Sequence, residues 1–135
     1  AAVGPSWRRV TFRMEKPPSS LAPADGPLPT AAHRERTVVH DGSVRSVATR
    51  FPRNVNAMVA GALVTVGLDR ARAVLVVDPT RTDLMLGIDA IAIDGAGIRI
   101  RRRQPASGVS GTEMGASAWA SVLAATGRAP SGSIV

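Results

Sequence analysis

Residues 43–79 read SVRSVATRFPRNVNAMVAGALVTVGLDRARAVLVVDP, and the order of elements in this stretch decides the fold. Ser43 is placed to cap a helix from Val44 to about Arg50, because a serine hydroxyl accepts from a free N–H of the first turn. Val44, Val47 and Ala48 fall on one face of it. Pro52 ends the helix, since proline drives its predecessor out of the helical region. Asn54 or Asn56 then caps a second helix, in which Val55, Met58, Val59, Ala62, Leu63 and Val66 recur at helical spacing. The opposite face, Ala57, Ala60, Gly61 and Val64, is also apolar, so this helix is expected to be buried all round. Gly67 closes it as the residue after the last turn. Arg72 to Asp78 is a nearly continuous β-branched run, the mark of an interior strand, and Pro79 stops it.

Working outward, Trp7–Met14 reads as a strand that stops at Lys16-Pro17-Pro18, where proline offers no ladder N–H. Ser19–Thr30 is a loop rich in proline and small residues. Arg36–His40 is a short strand, and Asp41-Gly42-Ser43 is expected to turn the chain into the first helix. Ile88–Asp94 reads as a strand. Gly95-Ala96-Gly97 makes a hairpin, and Ile98-Arg99-Ile100-Arg101 alternates apolar inward and basic outward. Gln104–Thr112 is a small-residue loop, and Glu113–Thr126 an Ala-rich last helix closed by Gly127. The order is strand, strand, helix, helix, three strands, helix. It predicts an α+β fold: a mixed or mostly antiparallel sheet with helices packed on one face. Residues 1–128 are expected to form a single domain, with 129–135 a flexible tail.

The 135 residues suffice for one domain with a real core. Without cysteine there are no disulfides or thiolate metal sites. No apolar run reaches the roughly 18 residues of a membrane span, and AAVGPSWRRV has no signal-peptide layout, so a cytoplasmic protein without membrane contact is expected. The net charge of +7 comes from sixteen Arg and one Lys against ten acids. A basic surface fits an acidic ligand or a nucleic acid, but Arg in such excess, beside abundant Ala, Gly and Pro, also fits GC-rich codons. With aromatics at 3%, platforms for base stacking are lacking, which argues against a nucleic-acid-binding protein.

Each candidate site has a plain structural alternative. Asn is among the best N-caps, which accounts for one of Asn54 and Asn56 but not for both before one apolar helix. A helix start also offers free N–H groups and partial positive charge, and an Asn amide there can donate to and accept from a ligand. The arginines Arg99, Arg101, Arg102 and Arg103 could grip a phosphate or carboxylate, or simply form an outward face that discourages edge pairing. Asp78 and Asp94 fit turn roles, and neither they nor Asp83 and Asp89 have an acid–base partner in sequence. His33 and His40 have no neighbour at metal-ligand spacing and read as surface histidines, so no metal site is expected. No GxGxxG, P-loop or GxSxG motif is present.

Three segments in this order, VTFRMEKPP, TVVHDGSVRSVATRFPRNVNAMVAGALVTVGLDRARAVLVVDP and IAIDGAGIRI, resemble the C-terminal domain of the L-aspartate dehydrogenase family. The match covers roughly residues 8 to 101, and FPRNVN followed at fixed spacing by GLDRARAVLVVDP is its most specific part. The resemblance implies an NAD(P)-dependent oxidoreductase that takes L-aspartate to iminoaspartate. An N-terminal Rossmann domain, absent from this chain, would bind NAD or NADP. The C-terminal domain would complete the site for an amino-acid or dicarboxylate substrate and build a homodimer. By the same resemblance Asn56 matches a cofactor-contacting asparagine, with Asn54 capping or supporting it. The family's catalytic histidine falls at Leu86 by ungapped counting, or at Asp89 on the IxI-x-G pattern. The motif near the last helix survives only as GVSGTEMG, where Thr112 corresponds. Neither leucine nor an exposed aspartate replaces an imidazole in proton transfer near neutral pH. A non-catalytic dimerisation or metabolite-sensing domain of the same fold is therefore the alternative.

Overall fold

The computed structural model describes residues 6–105. The elements run β1 (Trp7–Lys16), β2 (Thr37–Ser43), α1 (Val44–Arg50), α2 (Asn56–Leu63), β3 (Arg72–Val77), β4 (Asp83–Ala92) and β5 (Gly97–Pro105), with short 3-10 turns at Pro18–Ser20 and Thr30–His33. The five strands form one mixed sheet in the order β2-β3-β1-β4-β5. β1 and β3 are parallel, and every other pairing is antiparallel. The expected α+β class, with a mixed sheet, is what the chain forms. The expected last helix, Thr112 and the tail lie outside the described residues.

Both helices lie between β2 and β3 in sequence, and this connection allows β3 to pair with β1 in parallel, since parallel strands need a long crossover. Val10, Phe12 and Met14 from β1, Ala73, Leu75 and Val77 from β3, and Leu84, Leu86, Ile88 and Ala90 from β4 share a core with Val44 and Val47 of α1 and Ala57, Met58 and Ala62 of α2. Their period of two along each strand is the signature of a sheet with one face against helices. The other face carries Arg13, Asp89, Arg99 and Arg101. Ile98 and Ile100 turn inward while Arg99 and Arg101 turn out, as the alternation in β5 requires.

The first helix has the predicted bounds and cap: the Ser43 hydroxyl accepts from the Ser46 N–H at 3.1 Å. Gly67 closes the second connection with φ 87°, its N–H donating to Ala62 at 2.8 Å. α2 itself departs from expectation. It ends at Leu63, and the N-cap is Val55, with no side chain capping it. Nor is it buried all round: Ala57, Met58, Gly61 and Ala62 are buried, but Leu63 is 64% exposed and Val64 is exposed beside it. The exposed side of α2 is carried by Asn56 at its start and by Leu63 and Val64 at its end.

Asp41-Gly42-Ser43, expected as a turn, continues β2. Asp41 lies opposite Val74 and Gly42 opposite Ala73, after a bulge between Val38 and His40. Arg72 of the neighbouring strand donates to both Asp41 carboxylate oxygens, at 2.8 and 2.7 Å. That two-pronged contact gives a turn-forming residue a reason to stay in the sheet. β4 starts five residues before the expected Ile88, and β5 runs on through Arg102, Arg103 and Gln104, because each strand supplies the other's ladder from Asp83–Pro105 to Ile91–Gly97. The hairpin is set by Gly95 at φ 91° and by Asp94, which accepts from the Ala96 N–H at 2.9 Å.

Candidate cofactor and substrate site

Asn54 and Asn56 are separated by one residue and do different things. The Asn54 side chain is buried. Its amide donates to the Ser20 carbonyl at 2.9 Å and its oxygen accepts from the Ala22 N–H at 3.3 Å. Donor and acceptor together pin the segment that follows β1 to the entry of α2. The N-cap of α2 is Val55, so the capping role considered for Asn54 is corrected to that of a clamp between the two segments. Asn56 is the first helical residue and is exposed. It does not cap the helix, so the leading N–H groups that lack intrahelical partners lie beside an outward-facing carboxamide.

The Asn54 clamp fixes where this helix end sits. Ser20 and Ala22 follow the carboxyl end of β1, whereas α1 begins at the other end of the sheet, where the Val44 and Arg45 N–H groups donate to Ala71 and Leu68 just before β3. The leading end of α2 is therefore at the sheet edge where β1 and β3 finish and β4 starts. Its trailing end lies where β3 starts.

Leu86 and Asp89, the two positions at which the resemblance would place a histidine, lie on opposite faces. Leu86 is buried at 1% exposure, opposite Met14 in register, and points into the helix-covered core. Asp89 stands on the uncovered face, where the Arg99 guanidinium donates to it at 2.6 Å. Leucine has no proton to exchange, and Asp89 is engaged away from the helix end.

The remaining candidates resolve into structural roles. Asp78 accepts from the N–H and hydroxyl of Thr80, which holds its carboxyl below the usual range. Asp83 takes Arg81 at 2.6 Å and lies 3.9 Å from Arg103. His40 bonds Ser46 through Nε2 at 2.9 Å, and burial, then the Arg50 charge, lowers its pKa. His33 is exposed in the second 3-10 turn. No group of three or more His, Asp or Glu able to hold a metal occurs among the described residues. Arg99, Arg101, Arg102 and Arg103 lie on β5, the outermost strand among the described residues, with Arg102 in phase with the inward Ile98 and Ile100.

Lys16, read from the sequence as the point where β1 stops and as part of the VTFRMEKPP segment, was given no role in the site. It shares the core-facing side of β1 with Phe12 and Met14 and is 5% exposed. Burial lowers its pKa from the ordinary lysine value of 10.5, and no neighbouring charge contributes to the shift. The signal was in the composition: it is the only lysine beside sixteen arginines.

Comparison with known proteins agrees with this architecture. Residues 1–126 match the family model described as aspartate dehydrogenase, C-terminal. L-aspartate dehydrogenase 1 of Bordetella pertussis is 39% identical over 74 residues, covering 54% of this chain and 27% of that protein. The aspartate dehydrogenase domain-containing protein of Xenopus tropicalis is 35% identical over 108 residues, covering 72% of this chain and 38% of that protein. The crystal structure of aspartate dehydrogenase from Thermotoga maritima superposes with a TM-score of 0.55 at 25% identity, covering 71% of this chain and 37% of that one. The chain thus spans well under half the length of these relatives. With the family model matched along nearly its whole length, this chain belongs to the aspartate dehydrogenase C-terminal domain family.

Proposed function

We propose that this chain is the substrate-side, C-terminal domain of an NAD(P)-dependent oxidoreductase that oxidises an amino acid, the family reaction being L-aspartate to iminoaspartate. It works with an N-terminal Rossmann domain and pairs as a homodimer. In this reading residues 1–128 form the domain and 129–135 a tail. The observation that carries it is the division of labour at the start of α2: Asn54 is consumed in holding the helix entry, while Asn56 keeps its carboxamide outward at an uncapped helix end.

The residues present fit a nicotinamide cofactor. A carboxamide pairs with another carboxamide by one donated and one accepted hydrogen bond, and Asn56 offers both at the surface. The cofactor, when bound, accepts the hydride from the substrate carbon. This chain's share is to hold the ring and the amino acid in near-attack geometry. The uncapped N–H groups and partial positive charge of α2 favour a substrate carboxylate at the same end.

Isothermal titration of NADH and NADPH tests the reading, on this chain alone and joined to its upstream coding sequence. Binding by the joined protein, weakened in Asn56→Ala, is the expected result. A joined protein that binds neither cofactor overturns it. One observation favours a second reading, a non-catalytic dimerisation or metabolite-sensing domain: Leu86 and Asp89 leave both histidine-equivalent positions without a usable base. Cofactor binding without turnover is its signature.

A further inference from the structure

We propose that Lys16 is the proton-transferring residue of this domain, exchanging a proton with the nitrogen of the amino-acid substrate in place of the missing histidine. The inference rests on the oxidoreductase reading above and names a residue and a role that reading lacks.

Position is the first argument. Met14 is opposite Leu86 in the β1–β4 register. Lys16, two residues on, projects from the same face of the sheet and is the diagonal neighbour of Leu86, at the about 7–8 Å over which long side chains still reach. It is also the last residue of β1, which places it at the sheet edge where α2 begins with Asn56. A lysine there can bring its amine to the region that a histidine at position 86 would serve.

The second argument is chemical identity. Sixteen of the seventeen basic side chains are arginine. Guanidinium stays protonated in proteins, whereas a lysine deprived of water gives up its proton readily. Among the described residues, the one lysine occupies the one cationic position that is almost fully buried. Codon bias toward arginine does not account for that placement, and a purely electrostatic grip would be served by arginine.

The third is the absence of a counter-charge among the described residues. On β1, Glu15 faces the other way and holds Arg36 at 3.0 Å. On β3, Asp78 is engaged by Thr80, and its N–H donates to the Lys16 carbonyl rather than engaging the amine. At the start of β4, Asp83 is held by Arg81. On β5, Gln104 and Arg102 are the polar residues facing the same side, and neither is a carboxylate. A carboxylate partner would lock the lysine as a cation; without one it can cycle.

The step balances simply. The substrate ammonium gives one proton to the neutral Lys16 Nζ. The amine so formed supplies its lone pair as the Cα–H bond breaks and the hydride passes to the nicotinamide cofactor, the two-electron acceptor of the reaction. Substrate leaves as the iminium and Lys16 as an ammonium, which returns its proton to solvent.

Two measurements test this. In this chain, labelling with 13C-lysine gives a single side-chain Cε signal; a titration midpoint clearly below 10.5 is expected, and one at or above that value overturns the proposal. In the joined protein, Lys16→Met and Lys16→Arg are expected to keep NADH binding and to lose about 10²–10⁴-fold in kcat for L-aspartate oxidation, with the acid-side limb of the pH profile, where activity rises as the base loses its proton, abolished. An arginine variant that keeps kcat and changes only KM makes Lys16 a carboxylate grip and overturns the proposal, as does unchanged turnover in either variant. Failure of the wild type to bind NADH sinks the oxidoreductase reading instead, and the lysine titration still separates the two.

Discussion

The Phe12 ring lies directly over Gly61: a Cβ added to that glycine would stand 2.5 Å from Phe12 Cε1 and 2.6 Å from Cζ. This contact sets how closely α2 approaches the sheet. Phe12 is 1% exposed, so its ring has no free space to move into. Gly61→Ala gains about 1 kcal/mol of helix propensity but overpacks a closed core, which costs about 1–3 kcal/mol. The second term is expected to win, giving a lower melting temperature. Phe12→Leu in the same chain should recover part of the loss relative to the sum of the single changes. Denaturant melts of the four proteins, as a double-mutant cycle, check this; additive effects would show that ring and helix do not meet.

Asn54 and Asn56 should separate cleanly on substitution. Asn54→Ala removes the partners of the Ser20 carbonyl and the Ala22 N–H, and unsatisfied polar groups of this kind cost about 1–3 kcal/mol. Proteolysis within the Ser19–Thr30 loop should rise with the loss. Asn56→Ala, at an exposed first helical position, should leave melting within about 0.5 kcal/mol of wild type while weakening cofactor binding in the joined protein. Similar thermal losses in both variants would contradict the roles assigned to them.

This contrast also shows what the sequence could and could not reveal. Two asparagines before an apolar helix mark a helix entry, and periodicity alone places Val44–Arg50, the Ser43 cap, β3 and the β4–β5 hairpin. What Asn54 bonds to is more than thirty residues away, in a loop without periodicity, so only the folded chain could assign it. The Asp41-Gly42 error has the same origin: local turn chemistry lost to a cross-strand arginine on β3. The even apolarity of α2 hid its sidedness, because Leu63 and Val64 are as apolar as Met58 and differ only in what covers them. Lys16 was legible as a count, one against sixteen, but its burial was not.

Of the two helices among the described residues, α1 alone has a side-chain cap, from Ser43. α1 has seven residues, too few to be stable without packing and a satisfied first turn. Ser43→Ala should therefore cost about 1 kcal/mol, and Ser43→Asp should restore most of it by the same hydrogen bond and a favourable charge at the helix start. Ser46 links this cap to His40, so Ser43→Ala should also move the His40 titration, readable by NMR of its ring protons.

Acid should weaken the fold in two stages. His40 has a lowered pKa because burial and the Arg50 charge disfavour its cation. The unfolded chain thus binds a proton that the folded chain refuses, and stability present above about 6.5 declines as pH falls through the folded value. Asp41, Asp69 and Asp78 are held low by hydrogen bonds from Arg72, Arg45 and Thr80, so their contribution is present above about 3.8 and is lost at still lower pH. His40→Gln should remove the first stage and leave the second, as seen in urea midpoints measured from pH 3 to 8. A single-stage decline in the wild type would count against the histidine contribution.

Lys16 should make the opposite mark at the alkaline end. Its folded pKa lies below 10.5, so between that lowered value and 10.5 the unfolded chain holds a proton that the folded chain has released. Stability therefore rises with pH across this window, and below it the fold carries the full cost of a buried ammonium without a carboxylate. Lys16→Met keeps the length and apolar stem of the side chain and removes the charge, so it should melt higher than wild type at pH 7 and lose that advantage as the pH approaches 10.5. A stabilised variant that has also lost turnover in the joined protein would be the trade-off expected when a charged group is kept in a core for chemistry. If Lys16→Met is instead destabilised at every pH, the amine is serving the fold, and the case for proton transfer at this position falls with it.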